Sequence, residues 1–139
     1  MPIPVEYQHA SDDFHRFLRR VMEESGLSTS NQAYTTVQGV LYAFRRRLSV
    51  KQAILFAGVL RPIVRAIFVA DWDVDEPVVQ FGDVNSMTEE VQALRRDHNF
   101  SPATSIRDVS RALRESVDHA EFERVLAMLP EGANEFWSL

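Results

Sequence analysis

The sequence predicts an all-α fold of about eight helices in two degenerate four-helix repeats, packed as one compact bundle. Three observations predict it. Apolar residues recur at three- and four-residue spacing over most of the chain, which places them on one face of a helix. Capping residues stand where several of these runs begin. The second half also resembles the first: 69 positions apart, Thr35-Thr36-Val37 lies over Thr104-Ser105-Ile106, and Val40, Ala43, Arg45 and Leu60 lie over Val109, Ala112, Arg114 and Leu129. Phe44, Leu48 and Phe68 lie over Leu113, Val117 and Trp137, so apolar type recurs where identity does not. The expected organisation is a single domain of residues 1–139, with a first repeat over 11–70, an acidic joint over 71–85 and a second repeat over 86–139.

In chain order, residues 1–10, with two early prolines, read as an extended lead-in. Ser11 followed by Asp12 and Asp13 reads as a helix start, a capping hydroxyl with negative charge at the positive end of the dipole. Phe14, Phe17, Leu18 and Val21 then share a face, and Gly26 ends the run. After a polar turn at Leu27 to Asn31, a second helix carries the wide stripe Val37, Val40, Leu41, Phe44 and Leu48. Ser49-Val50-Lys51-Gln52 is a capping box for a third helix with Ala53, Phe56, Ala57 and Leu60. Pro62 suits the first turn of a fourth, whose Ile63, Val64, Ile67 and Phe68 make it apolar nearly all round and the expected most buried element.

The second half repeats this grammar. Ser86-Met87-Thr88-Glu89 reads as a capping box before Val91 and Leu94, and Ser101-Pro102 as the opening of a helix with Ile106, Val109, Leu113 and Val117. Asp118 to Glu121 stands 69 positions after the Ser49 box and precedes Phe122, Val125, Leu126 and Leu129; Pro130 and a short helix ending at Phe136-Trp137 close the chain. The joint contains Pro77, Gly82 and the alternating Val78-Val79-Gln80-Phe81, compatible with a short extended segment. It is too apolar for a free linker, so Trp72 and Phe81 are expected to pin it to the helices.

Composition removes several functions. Without cysteine there is no disulfide, thiolate chemistry or sulfur-ligated metal. The N-terminus lacks a basic region followed by an apolar core, and the longest apolar stretch, Ile63 to Ala70, is broken by Arg65 and too short for a bilayer. The expectation is a cytoplasmic protein with no membrane association. A net charge of −5 makes nucleic acid an unlikely partner, because affinity for phosphate backbones comes from basic surface. The charge is segregated: residues 26–70 hold six bases and no acid, and residues 71–90 hold seven acids and no base. Such polarity is neutralised within the fold, between subunits or by a partner.

The run Val40-Leu41-Tyr42-Ala43-Phe44-Arg45-Arg46-Arg47-Leu48-Ser49, with Ala53 and then Leu60 through Val64-Arg65-Ala66-Ile67-Phe68 to Asp71-Trp72, resembles the bacterial family catalogued as domain of unknown function 2267. The resemblance extends from about Phe14 to Trp137. It implies a small helical protein of two degenerate repeats with a Trp after the fourth helix, and it brings no catalytic residue, since the family has no established activity. Leu129-Pro130 fits the family's usual Leu-Pro, whereas the first repeat has Leu60-Arg61-Pro62; Ala66 and Asp71 stand where Gly is common.

Candidate sites are few. Asp71, Asp73 and Asp75 alternate as in the opening of an EF-hand loop, but the sixth and twelfth positions are Glu76 and Gly82 where that loop needs Gly and Glu. A solvated acidic loop is the expectation. Arg45, Arg46 and Arg47 point about 100° apart on a helix and fan around its C-terminus rather than forming one flat patch. Arg65, among apolar neighbours, is expected to be partly buried and paired with Asp71 or Asp73. His9, His15, His98 and His119 lack metal-pair spacing, and no phosphate loop or Ser/His/Asp set is visible, so no cofactor is expected. Tyr34, Tyr42, Trp72 and Trp137 are candidates for lining a groove, Trp137 as an exposed anchor or packed at the repeat junction.

These readings converge on a protein-interaction or regulatory module without catalytic activity, binding a protein partner or a second copy of itself. Its expected surface is the basic flank of Arg45, Arg46, Arg47, Lys51, Arg61 and Arg65 with the acidic joint of Asp71, Trp72, Asp73, Asp75 and Glu76. The alternatives are a small-ligand binder or enzyme with a pocket between the repeats near Arg65 and Trp72, and a nucleic-acid regulator using the second and third helices.

Overall fold

The computed structural model describes residues 1–138, so position 139, the expected end of the second repeat, lies outside the described residues. Among those described, the chain is all-helical: nine α-helices, one 3-10 turn at Arg96–His98, and no strand. The helices are α1 Val5–Gln8, α2 Ala10–Ser25, α3 Ser30–Arg45, α4 Val50–Ala57, α5 Pro62–Val69, α6 Val84–Ala93, α7 Ser105–Ser116, α8 His119–Leu126 and α9 Ala133–Phe136.

Several starts differ from the sequence reading. The lead-in is partly helical, with Pro4 fixing the entry to α1 and α2 following almost at once at Ala10. Ser11 therefore sits inside α2 rather than capping it. Ahead of α3 the cap is Thr29, whose hydroxyl accepts from the Gln32 N–H. At α6 the cap is Asp83, whose carboxylate accepts from the Ser86 N–H, so the helix begins before the Ser86 box and the joint ends at Asp83. Where two capping residues stand three apart, the first aspartate wins here because it also adds charge at the dipole's positive end. The Ser101-Pro102 segment is a turn, and α7 begins only at Ser105.

Other features stand as expected. The Ser49–Gln52 box is complete in both directions. Asp118 caps α8 by accepting from the Glu121 N–H, Pro62 opens α5, and Gly26 ends α2 at φ +77°. In the segment 77–81 the Val79 N–H donates to Arg46 O and the Arg47 guanidinium donates to Gln80 O, so this strap is held by the two residues that follow α3 rather than by a sheet.

The most buried helix is α3, not α5. Its buried positions run almost continuously from Ala33 to Arg45, whereas α5 buries Val64, Ile67 and Phe68. The reason is placement: α3 touches α2, α5, α6 and α7. The main pairings cross the halves, α2 against α7 and α3 against α6. At the second crossing Gly39 lets the backbones close up, since a Cβ there would lie 2.9 Å from both the side chain and the carbonyl of Val91. An aromatic cluster fills the centre, with Phe56 stacked on Trp137 at 5.7 Å and in contact with Phe44, Phe68 and Phe122. Trp137 is fully buried, so it is a packing residue and not an exposed anchor.

Candidate functional site

The site grows from the end of α3. Arg45 belongs to its last turn and reaches across to the C-terminal end of α5, where one guanidinium nitrogen, Nη1, donates to Phe68 O at 2.8 Å and Ala70 O at 2.9 Å. A cation is favoured at such an end because the last helix carbonyls lack partners. The chain then reverses at Asp71, which adopts φ +52°. This left-handed conformation is the one glycine takes most readily, and Gly is the residue common at this position in the family resembled. The reversal brings Trp72 back over the same guanidinium. The Arg45 Cζ lies 4.2 Å from the Tyr42 ring centre and 5.2 Å from that of Trp72.

These residues line a cleft of about 210 Å³ whose walls also carry Asp71, Asp73, Glu76 and Arg46. Its rim is apolar: Val50, Val74 and Val78 line it while 41%, 56% and 58% exposed. Arg45 is only 8% exposed and has no carboxylate within ion-pair distance among the described residues. Burial pulls its guanidinium below the ordinary arginine value, partly offset by Tyr42 and Glu76.

The neighbouring arginines are committed. Arg46 meets Glu76 at 3.6 Å and Glu90 at 2.7 Å. Arg47, 5% exposed, makes a two-point pair with Glu90 at 2.6 and 2.9 Å and also holds Ala43 O and Gln80 O. Burial alone would raise the Glu90 carboxyl, but the bonds and charge of Arg47 and Arg46 hold it below the usual range.

Of the residues singled out in the sequence, Arg45, Arg46, Asp71, Trp72, Asp73 and Glu76 meet in this cleft. Arg47 lies behind it, Asp75 is in the adjoining turn with its N–H on the Asp73 carboxylate, and Lys51 is exposed in the first turn of α4. Arg61 and Arg65 belong elsewhere. Arg61 faces Asp13 at 3.7 Å. Arg65 donates to Ala57 O and Leu60 O and approaches Glu6 at 3.9 Å, so its partners are carbonyls and the N-terminal segment rather than Asp71 or Asp73. No group of three or more metal-ligating side chains occurs among the described residues.

Sequence reasoning missed the valine rim and Glu90. The rim residues are spread over a helix and a strap that meet only in the fold, and Glu90 is 43 positions from Arg47. A second cavity, of about 240 Å³ between α2 and α7, is lined by Arg16, Arg20 and Arg61, but each of these cations is already paired with a carboxylate.

An all-helical bundle with a charged cleft lined by Tyr42 and Trp72 is the class this geometry defines. The family described as "Uncharacterized conserved protein (DUF2267)" matches residues 14–136, and the chain belongs to it. No curated protein matches the chain.

Proposed function

We propose that this protein is a non-catalytic interaction module that docks a segment of a partner protein along the cleft between the end of α3, the start of α4 and the joint. The observation that carries this reading is Arg45: a buried cation with no carboxylate at ion-pair distance among the described residues, lining a cleft with exposed valines. Exposed apolar residues gathered around a polar floor are the composition of a recognition surface. The cleft is smaller than the roughly 300–1,000 Å³ of small-molecule pockets and suits a single inserted side chain. Two of its carboxylates are already engaged, Glu76 by Arg46 and Asp73 by the Asp75 N–H, which favours binding over catalysis. Burial of Arg45 and Arg47, and the pairing of Arg46 with Glu76 and Glu90, remove three of the six bases of the flank from phosphate contacts, which weighs against the nucleic-acid reading. With Arg65 bound to Ala57 and Leu60 carbonyls, the small-ligand reading loses one of the two residues it was built on.

The test is capture of host proteins on the immobilised protein, on a Val50→Lys/Val78→Lys variant, and on an Arg124→Glu variant whose change lies on exposed α8. A partner retained by Arg124→Glu and lost by the double variant supports the reading. Equal capture by all three contradicts it.

A further inference from the structure

Arg45 and Arg114 stand 69 positions apart and do related work. Arg45 donates to Phe68 O, and Arg114 donates through Nε to Trp137 O, again 69 positions on. They differ in how their charge is met. Arg114 is neutralised by Glu123, whose carboxylate its Nη1 contacts directly. The residue 69 positions before Glu123 is Ile54, which is 62% exposed. The first half therefore has an apolar surface residue where the second half supplies the counter-charge. Arg47 and Arg114 both have a carboxylate; Arg45 has aromatic rings and backbone carbonyls.

The bonds already made define what is left. Nη1 serves both carbonyls, and the Tyr42 ring and hydroxyl lie against the guanidinium; Nε and Nη2 donate to no carbonyl or carboxylate among the described residues, and Arg45 lines the cleft. Those two nitrogens form one edge of the planar guanidinium, with parallel N–H groups spaced for the two oxygens of a carboxylate. A free metabolite would leave Val50, Val78 and Ile54, one turn along α4 from Val50, exposed to water. A polypeptide would cover them. Asp71, Asp73 and Glu76 on the wall repel a uniformly acidic segment and favour positive charge on either side of the anchoring group.

We propose that the free edge of Arg45 anchors an aspartate or glutamate side chain of a partner's peptide segment, set between basic residues that meet the acidic wall. This rests on the docking reading above and names the chemistry of the occupant. The probes are acetyl-Val-Lys-Glu-Lys-Val-amide, its Lys-Gln-Lys analogue and its Glu-Glu-Glu analogue, titrated into nitrogen-15-labelled protein while the Arg45 Nε–Hε resonance and the backbone amides of Val50, Val74 and Val78 are followed. The Lys-Glu-Lys peptide is expected to move the Arg45 resonance and to bind about tenfold more tightly than the glutamine peptide. It should also bind more tightly than the all-glutamate one.

Ile54→Glu supplies the carboxylate internally, at an exposed position where folding is not at risk. In that variant the preference for glutamate over glutamine should vanish. Equal binding of the glutamate and glutamine peptides by the unmodified protein overturns the proposal, as does an unchanged preference in Ile54→Glu. Tighter binding of the all-glutamate peptide overturns the role given to the wall. If the valine amides respond while Arg45 does not, docking stands and the anchor falls; if neither responds, both fall.

Discussion

At the scale of single residues, the cleft depends on two positions that resist their ordinary preferences. Asp71 holds a left-handed backbone that costs a side-chain-bearing residue about 1 kcal/mol, and Arg45 is buried with no ion pair among the described residues. Strain at Asp71 turns Trp72 onto Arg45, and Trp72 in turn shields the guanidinium. Replacing Asp71 with glycine removes the strain but adds freedom to the unfolded chain, so Asp71→Gly should change stability by no more than about 0.5 kcal/mol in either direction. Urea unfolding measures this; a loss above about 1 kcal/mol would mean that the carboxylate itself holds the turn. In the sequence Asp71 is one acid in a run, and only its position where Gly is common hints at the backbone it adopts. The environment of Arg45 was not legible, because Phe68 O and Ala70 O carry no side-chain signal.

Among the elements, the contacts that hold α3, α6 and the joint together pass through Glu90. It binds Arg47 at two points and Arg46 at one, and Arg47 extends the connection to Gln80 of the strap. Because the folded carboxyl lies below its ordinary value of 4.5, its contribution is present above that pH and fades as pH falls through the folded value. Glu90→Gln should cost about 2 kcal/mol at neutral pH and much less at an acid pH below the folded carboxyl's value. Urea midpoints of both proteins at the two pH values test this; a deficit independent of pH would assign the loss to packing. Local signals were well read where they were complete within four residues, as at Ser49–Gln52 and Pro62. They were misread at Ser11 and Ser86, where helical turns begin earlier under Pro4 and Asp83. The apolar stripe of α3 was legible; its rank as the most buried helix was not, since that follows from crossing four partners.

For the molecule as a whole, the recurrences 69 positions apart include helix bounds: α4 at Val50–Ala57 and α8 at His119–Leu126. We read them as the trace of a duplication, supported by the crossed packing of α2 on α7 and α3 on α6. Crossing makes the halves share one core, so neither buries its apolar face alone. Part of the segregated charge is met inside this arrangement, Arg46 by Glu76 and Glu90 and Arg47 by Glu90. Arg45 is buried with no carboxylate at ion-pair distance among the described residues, whereas Arg114 has Glu123, and there the two halves differ in chemistry. We propose that this difference leaves a docking face at the end of α3. Amide hydrogen exchange of the protein, free and bound to a captured partner, tests it most directly. Slowed exchange is expected at the start of α4 and across residues 71–79, with the surface between α2 and α7 unchanged; protection confined to that α2–α7 surface would contradict the docking face.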